Sequence, residues 1–373
     1  MKEQYTSLGL MSGTSGDGVD ASIIQSDGEK KYEVIKDKYY EYDSKIYQDI
    51  HKLKEKIHNL NDLKILKKEI NDLERKITLF HAKVVEEIKS NLKIDIIGFH
   101  GQTIYHNPQK RVSNQLGDGK LLSQLTKKSI IFNFRQNDIK NGGEGAPLTP
   151  IFHQLIANNF KIDLPICILN IGGISNITII EKSIGVNSFT SRDIGPGNCL
   201  IDTWVRKNSK YKYDKDGILA SSGKKNVIIF EQAQELFSNR PNKNTLSFDT
   251  NDFDVSFARG LSLEDGAATL TDFTASIIGS ALFSLLSKAS DKPRKVLVCG
   301  GGRKNGFLIE KIKENTLKNI VIQSIDDYGV DGDFVESQAF AFLAIRSLLK
   351  LPISFPETTG CIKPCTGGVL VKI

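Results

Sequence analysis

The feature that most constrains this chain is an apolar run that breaks into a glycine-rich turn and then resumes as an alternating strand. It appears first as Leu8-Gly9-Leu10-Met11-Ser12-Gly13-Thr14-Ser15-Gly16-Asp17-Gly18-Val19-Asp20, which packs four glycines, three hydroxyls and two aspartates into thirteen residues. Ala21-Ser22-Ile23-Ile24 then leaves the turn. Glycines permit positive φ and let backbone amides come close to a ligand. Successive exposed amides form an anion nest, and Thr14 and Ser15 add hydroxyl donors. Asp17 and Asp20 are candidates for a hydrated Mg2+ ion, which commonly uses one or two carboxylates and keeps its waters. An ordinary hairpin turn explains a single Gly-Asp pair, but not this density.

The second half of the chain restates the pattern. Ile166–Ile171 is an apolar strand, Gly172-Gly173 a turn, and Ile174–Ile180 the partner strand. A third apolar strand, Lys295–Cys299, runs into Gly300-Gly301-Gly302. None of the three fits the Gly-x-x-x-x-Gly-Lys-[Ser/Thr] loop, and none opens a helix as Gly-x-Gly-x-x-Gly. Three glycine turns after strands suggest backbone surfaces gathered around one polyanionic or flat ligand, with ATP the obvious candidate. The expected fold is α/β, with two actin-like (ribonuclease-H-like) domains and an ATP cleft between them. That is the architecture of actin, heat-shock ATPases and sugar kinases. The expected first domain is 1–134 plus about 352–373, with a helical insertion at 44–92. The expected second domain is 135–351.

Composition narrows the class. A chain of 373 residues, 39% hydrophobic and 25% charged, suits a globular protein of two domains. The net charge of +6 is spread among acidic neighbours, which argues against a nucleic-acid or membrane partner. Five cysteines, an odd number in mostly apolar segments, suit a reducing compartment. Cys361 and Cys365 are spaced CxxxC with no matching second pair, so spacing alone makes no zinc site. His100 and His106 also lack metal-ligand spacing. With no signal-peptide pattern and no run of about twenty apolar residues, a cytoplasmic protein is expected.

The 44–92 segment is charged and has 3–4 apolar spacing, so it predicts amphipathic helix. Asn59, Asn61 and Asp62 interrupt it, and Asn61 is the expected N-cap between two antiparallel helices. A coiled-coil arm is the alternative and leaves a homodimer open. Ile94–Phe99 predicts a strand ending at His100, and 129–134 another. Helices are predicted near 119–127, 150–159, 264–290 and 334–349.

Two further groups point to chemistry. In Arg192-Asp193-Ile194-Gly195-Pro196-Gly197-Asn198, a carboxylate leads into a rigid turn, as a general base would, and Asn198 can cap the helix that follows. An Asp bracing its own turn is the structural alternative. His100, Gln102, Thr103, Arg135 and Asp138 follow two strands and suggest a site for a polar, acidic small molecule, Arg135 being the natural carboxylate fork. On these residues the chain reads as a kinase for a sugar or hydroxy acid, or as a nucleotide-gated interaction ATPase.

Six motifs, in order, resemble one family. They are Gly9-Leu10-Met11-Ser12-Gly13-Thr14-Ser15-x-Asp17-Gly18-x-Asp20, His100-Gly101-Gln102-Thr103-Ile104-x-His106, Gly142-Gly143-x-Gly145-Ala146-Pro147-Leu148, Asn170-Ile171-Gly172-Gly173-Ile174-Ser175-Asn176, Asp193-x-Gly195-Pro196-Gly197-Asn198 and Val298-Cys299-Gly300-Gly301-Gly302. The chain resembles the anhydro-N-acetylmuramic acid kinases over essentially its whole length. The resemblance implies ATP-dependent conversion of 1,6-anhydro-N-acetylmuramate and water to N-acetylmuramate 6-phosphate, in peptidoglycan recycling. It implies Asp193 as the base that activates water. It implies Gly13, Thr14, Ser15, Gly16, Asp17, Gly18, Val19 and Asp20 as the phosphate loop, and Gly172 and Gly173 as a second phosphate turn. Gly300, Gly301 and Gly302 fall on the adenosine side, and Gln102, Thr103, Arg135 and Glu336 line the sugar pocket. The chain departs from the family at Gly16 (usually bulky and apolar), Glu144 (usually Gln) and Arg192 (usually aromatic).

Overall fold

In the computed structural model, residues 3–182, 188–239, 246–286 and 294–373 are described. In chain order the strands are β1 (Tyr5–Ser12), β2 (Gly18–Ser26), β3 (Tyr32–Glu41), β4 (Ile96–Asn107), β5 (Val112–Leu116), β6 (Ile130–Phe132), β7 (Ile166–Ile171), β8 (Ile174–Ile180), β9 (Phe189–Pro196), β10 (Arg294–Cys299), β11 (Ile320–Ser324) and β12 (Val369–Val371). They form two mixed sheets, ordered β12-β6-β4-β1-β2-β3 with β5 paired to β4, and β11-β10-β7-β8-β9. The chain is α/β and divides into two compact units, Met1–Asp163 with Lys182–Ser191 and Asp333–Ile373, and Leu164–Glu181 with Arg192–Gly332. Residues 135–163 and 333–351 therefore pack with the first unit. The expected second domain, 135–351, includes them.

In the first unit, β1 and β2 form the expected hairpin around the glycine turn, and β1 lies parallel to β4. Gly9 and Gly98 are partners in that register. A Cβ on Gly9 would sit 1.9 Å from the Ser337 carbonyl oxygen, and one on Gly98 2.2 Å from that of Phe340. The two glycines thus seat the helix Val335–Leu348 directly on the sheet. Leu8 and Leu10 alternate to the other face. There they share a core with Ile46, Ile50 and Leu53 of the helix Ser44–Lys56 and with Ile70, Leu73 and Ile77 of the helix Lys67–Lys89.

The 44–92 segment is therefore folded back on its own sheet, with Lys76 Nζ 2.7 Å from Asp49 Oδ2 between its helices. It is not a free coiled-coil arm. A short helix, Leu60–Ile65, stands between the two long ones. Its N-cap is Asn59, not Asn61. Asn59 Oδ1 accepts the Asn61 amide while Asp62 accepts the amides of His58 and Asn59, a capping box that a cap at Asn61 would forgo. β4 also outruns its expected end at His100, because β5 pairs antiparallel with its Gln102–Asn107 half.

In the second unit, β7 is buried throughout, antiparallel to β8 and parallel to β10. The helix Leu263–Leu286 is long and apolar enough to cross a membrane by length and composition, contrary to the expectation that no such run exists. Ala267, Leu270, Phe273, Ile278 and Leu282 bury it in the core of this unit. The expected extension over 287–290 lies outside the described residues.

Candidate active site

The first glycine turn is closed by the Gly16 amide on the Gly13 carbonyl at 3.1 Å. Gly16 has φ +62°, and a Cβ there would meet Ile50 Cγ2 at 2.9 Å. This departure from the family pattern thus has a local cause: the turn is left-handed at Gly16 and the helix Ser44–Lys56 packs directly over it. Lys54 of that helix donates to the Thr14 carbonyl at 3.0 Å. Ser15 donates to Asp17 Oδ1 at 2.5 Å. Burial, reinforced by Asp17 and Asp20, pushes the Tyr39 phenol well above its usual range, so it remains protonated, as a donor to Asp17 must. Asp17 and Asp20 are both half-buried, whereas Val19 between them is buried in the core. Gly18 packs against Tyr39 and Tyr40. Gly13 alone here points its absent side chain at open space, the nearest atom being its neighbour Ser15 Oγ at 3.8 Å.

Gln102 is fully buried and tied to this turn. Its Nε2 donates to the Gly13 carbonyl at 2.9 Å, and its Oε1 accepts the Ser12 hydroxyl at 2.7 Å. Tyr42 donates to Ser12 at 3.1 Å. The amide expected to line a sugar pocket is thus seen bracing the loop.

Of the polar set on β4 and after β6, His100 and Arg135 meet directly. Arg135 donates from Nη1 to the Gly145 carbonyl at 2.8 Å and from Nη2 to His100 Nε2 at 3.0 Å. His100 Nδ1 faces the Gly101 carbonyl at 2.8 Å, which fixes Nδ1–H as donor and Nε2 as acceptor. Burial, and then Arg135, lower the His100 pKa to about 3, so it stays neutral. His106 Nδ1 meets Ser113 Oγ at 3.0 Å, and Gln115 donates to Thr103 Oγ1 at 3.2 Å. Ser113 and Gln115 are new to the set. They sit on β5, which no periodicity announced. Asp138 turns away from it, Oδ2 accepting the Gly145 amide at 2.7 Å and Oδ1 the Thr359 hydroxyl at 2.6 Å. Glu336 is half-buried in the first turn of the helix Val335–Leu348. Glu144, the second departure, is half-buried in the loop, its amide on the Thr359 carbonyl at 2.8 Å.

In the second unit, two motifs far apart in sequence form one structure. The amides of Gly197 and Cys199 donate to the Gly173 carbonyl at 2.9 and 3.1 Å, and that of Asn198 to the Gly172 carbonyl at 2.8 Å. A Cβ on Gly197 would lie 2.2 Å from the Gly172 oxygen, so only glycine allows this approach. Asn198 occupies the N-cap position of the helix Cys199–Asn208 but makes no side-chain cap, contrary to expectation. Its Nδ2 reaches toward the Ile171 carbonyl at 3.5 Å instead.

Asp193 precedes this junction on β9 and is buried. Its Oδ2 accepts the Phe248 amide at 2.9 Å, and its own amide donates to the Leu246 carbonyl at 2.8 Å. It lines a cavity of about 460 Å³ with Phe248, Gln234, Ser276 and Ile277. Arg192, the third departure, is exposed beside the buried Asp193 and lines the same cavity.

Gly300 has φ +78°, and its Cβ would meet Asn170 Oδ1 at 2.4 Å. Gly302 packs on Ile171, whereas a Cβ on Gly301 would meet nothing within 4 Å. Gly172 has room for a Cβ, its nearest contact the Ile174 carbonyl at 3.5 Å, and its amide donates to that same carbonyl at 3.3 Å.

Fold and site together define an α/β protein of two units in which glycine turns at strand ends present open backbone beside buried carboxylate and polar side chains. The family model described as anhydro-N-acetylmuramic acid kinase matches residues 5–372, and the chain belongs to that family. A Pelagibacter ubique protein of that name is 56% identical over 100% of both chains. The one from Zymomonas mobilis is 38% identical, covering 97% of this chain and 98% of its own. The Agrobacterium fabrum protein is 35% identical over 100% of both.

Proposed function

We propose that the chain phosphorylates 1,6-anhydro-N-acetylmuramate with ATP, opening the anhydro ring with water to give N-acetylmuramate 6-phosphate and ADP. Family membership along the whole chain is the observation that carries this reading. The two units are then the actin-like (ribonuclease-H-like) pair of that superfamily, and the reaction belongs to cell-wall recycling in the cytoplasm.

The glycines fit a polyphosphate ligand. Gly13 and Gly301 have no close contact that would exclude a side chain, so their lack of one leaves room for a ligand to approach the backbone. Gly13 to Asp20 and Gly172 with Gly173 would take phosphate, and Gly300 to Gly302 the adenosine side. Asp17 and Asp20, two half-buried carboxylates, suit a Mg2+ ion that keeps most of its waters. That ion would supply charge neutralisation on the phosphates. Gln102, Thr103, Arg135 and Glu336 would hold the sugar, with the Arg135 guanidinium toward the lactyl carboxylate.

In the reaction, Asp193 accepts a proton from water as the water oxygen bonds to the anomeric carbon. The bond from that carbon to the oxygen of position six breaks. The freed oxygen bonds to the γ-phosphorus, and the bond from that phosphorus to the β–γ bridging oxygen breaks, releasing ADP. The Phe248 amide on Oδ2 fixes the carboxylate plane while the base works. The test is turnover in 18O-labelled water with ATP, Mg2+ and the anhydro sugar against a panel of free sugars. Label at the anomeric hydroxyl of a 6-phosphate is expected. Phosphorylation without label would overturn the water attack, and preference for a free sugar would overturn the substrate.

A further inference from the structure

The loop at 138–145 and the C-terminal segment meet at a cluster that the chemistry above does not use. Asp138, Cys361 and Cys365 are all buried, and each brings one ligand atom to within 4.8 Å of the others. Cys365 Sγ lies 4.0 Å from Asp138 Oδ1, and Cys361 Sγ 3.3 Å from the Lys363 carbonyl oxygen. Sulfur and oxygen ligands around tetrahedral zinc, at bond lengths of about 2.3 and 2.1 Å, stand roughly 3.6 Å apart. The observed separations bracket that edge.

The frame around the cluster is built from backbone. The Cys365 amide donates to the Ser354 carbonyl at 3.1 Å, and the Ile353 amide to the Cys365 carbonyl at 2.9 Å. The Ile362 amide donates to the Asn141 carbonyl at 3.1 Å. Asp138 is fixed from two sides by Thr359 and Gly145. Gly143 makes room for it, since a Cβ there would sit 2.2 Å from Asp138 Oδ2. Two thiols and a carboxylate held this way are the donor set of a soft, tetrahedral site.

We propose that Asp138, Cys361 and Cys365 bind one thiophilic divalent cation of the zinc class, with the Lys363 carbonyl or a water as fourth ligand. As each sulfur–metal bond forms, its thiol proton leaves to solvent. The cation ties the C-terminal segment to the loop whose Gly145 carbonyl holds Arg135. The role is structural, since the closed donor set leaves no substrate position.

The test is a cobalt(II) titration of the full chain, reduced and stripped with chelator. Thiolate-to-cobalt charge-transfer absorption is expected to saturate at one equivalent and to be bleached by one equivalent of zinc. It is expected to vanish in C361S/C365S, and C361S alone is expected to keep about half of it, one sulfur of two. No such band in the natural chain overturns the proposal. So does a band of equal strength in the double variant or, should that variant not fold, in C361S.

Discussion

The Asn198 amide nitrogen donates to the Gly172 carbonyl oxygen at 2.8 Å, which fastens the strand carrying Asp193 to the second glycine turn. The fastening depends on Gly197, whose absent Cβ would lie 2.2 Å from the same oxygen. Neither partner is a flexible side chain, so Gly197→Ala must move backbone and is expected to cost about 1–3 kcal/mol. It should lower both Tm and kcat. Gly301→Ala is the contrasting change, since its Cβ meets nothing within 4 Å. It should leave Tm unchanged and raise KM for ATP. Thermal unfolding and steady-state kinetics on both variants separate the two kinds of glycine, and a Gly301→Ala enzyme with unchanged KM would remove Gly301 from the ATP site.

Asp193→Asn should keep the fold, because an amide oxygen can still accept the Phe248 N–H now held by Oδ2 at 2.9 Å. It removes the proposed proton acceptor, and loss of a general base lowers rates by about 10²–10⁴-fold. The expected result is that fall in kcat with Tm and ATP affinity retained. A variant that turns over normally would take Asp193 out of the base role, and one that also loses ATP affinity would give it a different part.

What could be read from the sequence was whatever local pattern dictates. The hairpins around Gly13–Gly18 and Gly172-Gly173 were legible because apolar alternation and glycine density are local signals. The junction of Gly197 with Gly172 was not, because sequence shows two separate motifs and only the folded chain shows one carbonyl serving both. β5 escaped for a related reason. Val112-Ser113-Asn114-Gln115-Leu116 is mostly polar, and its pairing with β4 supplies the order that its own composition does not. Gly16 looked anomalous in the sequence. Its positive φ and the proximity of Ile50 account for it, and Ile50 lies in an insertion whose packing no local rule specified.

Gln102 offers a test of whether a residue proposed for the sugar pocket also supports the proposed phosphate loop. Its Nε2 holds the Gly13 carbonyl at 2.9 Å and its Oε1 accepts from Ser12 at 2.7 Å. Gln102→Glu replaces the donor with an oxygen facing a carbonyl, which leaves a buried acceptor unpaired and costs about 1–3 kcal/mol locally. KM for ATP is therefore expected to rise together with KM for the sugar. Tyr42→Phe, which removes only the hydrogen bond to Ser12 at 3.1 Å, should shift KM for ATP in the same direction by less. A Gln102→Glu enzyme altered in sugar KM alone would show that the brace does not matter to nucleotide binding.

His81 sets an expected acid limb of stability. It is buried between Tyr42 and Phe99, with Nδ1 on the Ile77 carbonyl at 2.8 Å and no hydrogen-bond partner for Nε2 among the described residues. Burial lowers its pKa to about 4, against an ordinary value of 6.5. The unfolded chain therefore binds a proton that the folded chain refuses. The stability is fully present above pH 6.5 and is lost as pH falls through the interval down to about 4. His100, His106 and His153, each lowered to about 3, act in the same direction. His81→Leu fills the same apolar site without a titrating ring. Between pH 7 and pH 5 the natural protein should lose about 1–2 kcal/mol more than this variant, since each bound proton contributes about 1.4 kcal/mol per pH unit. Urea unfolding at the two pH values measures the difference, and parallel losses would show that His81 is already solvated in the folded chain.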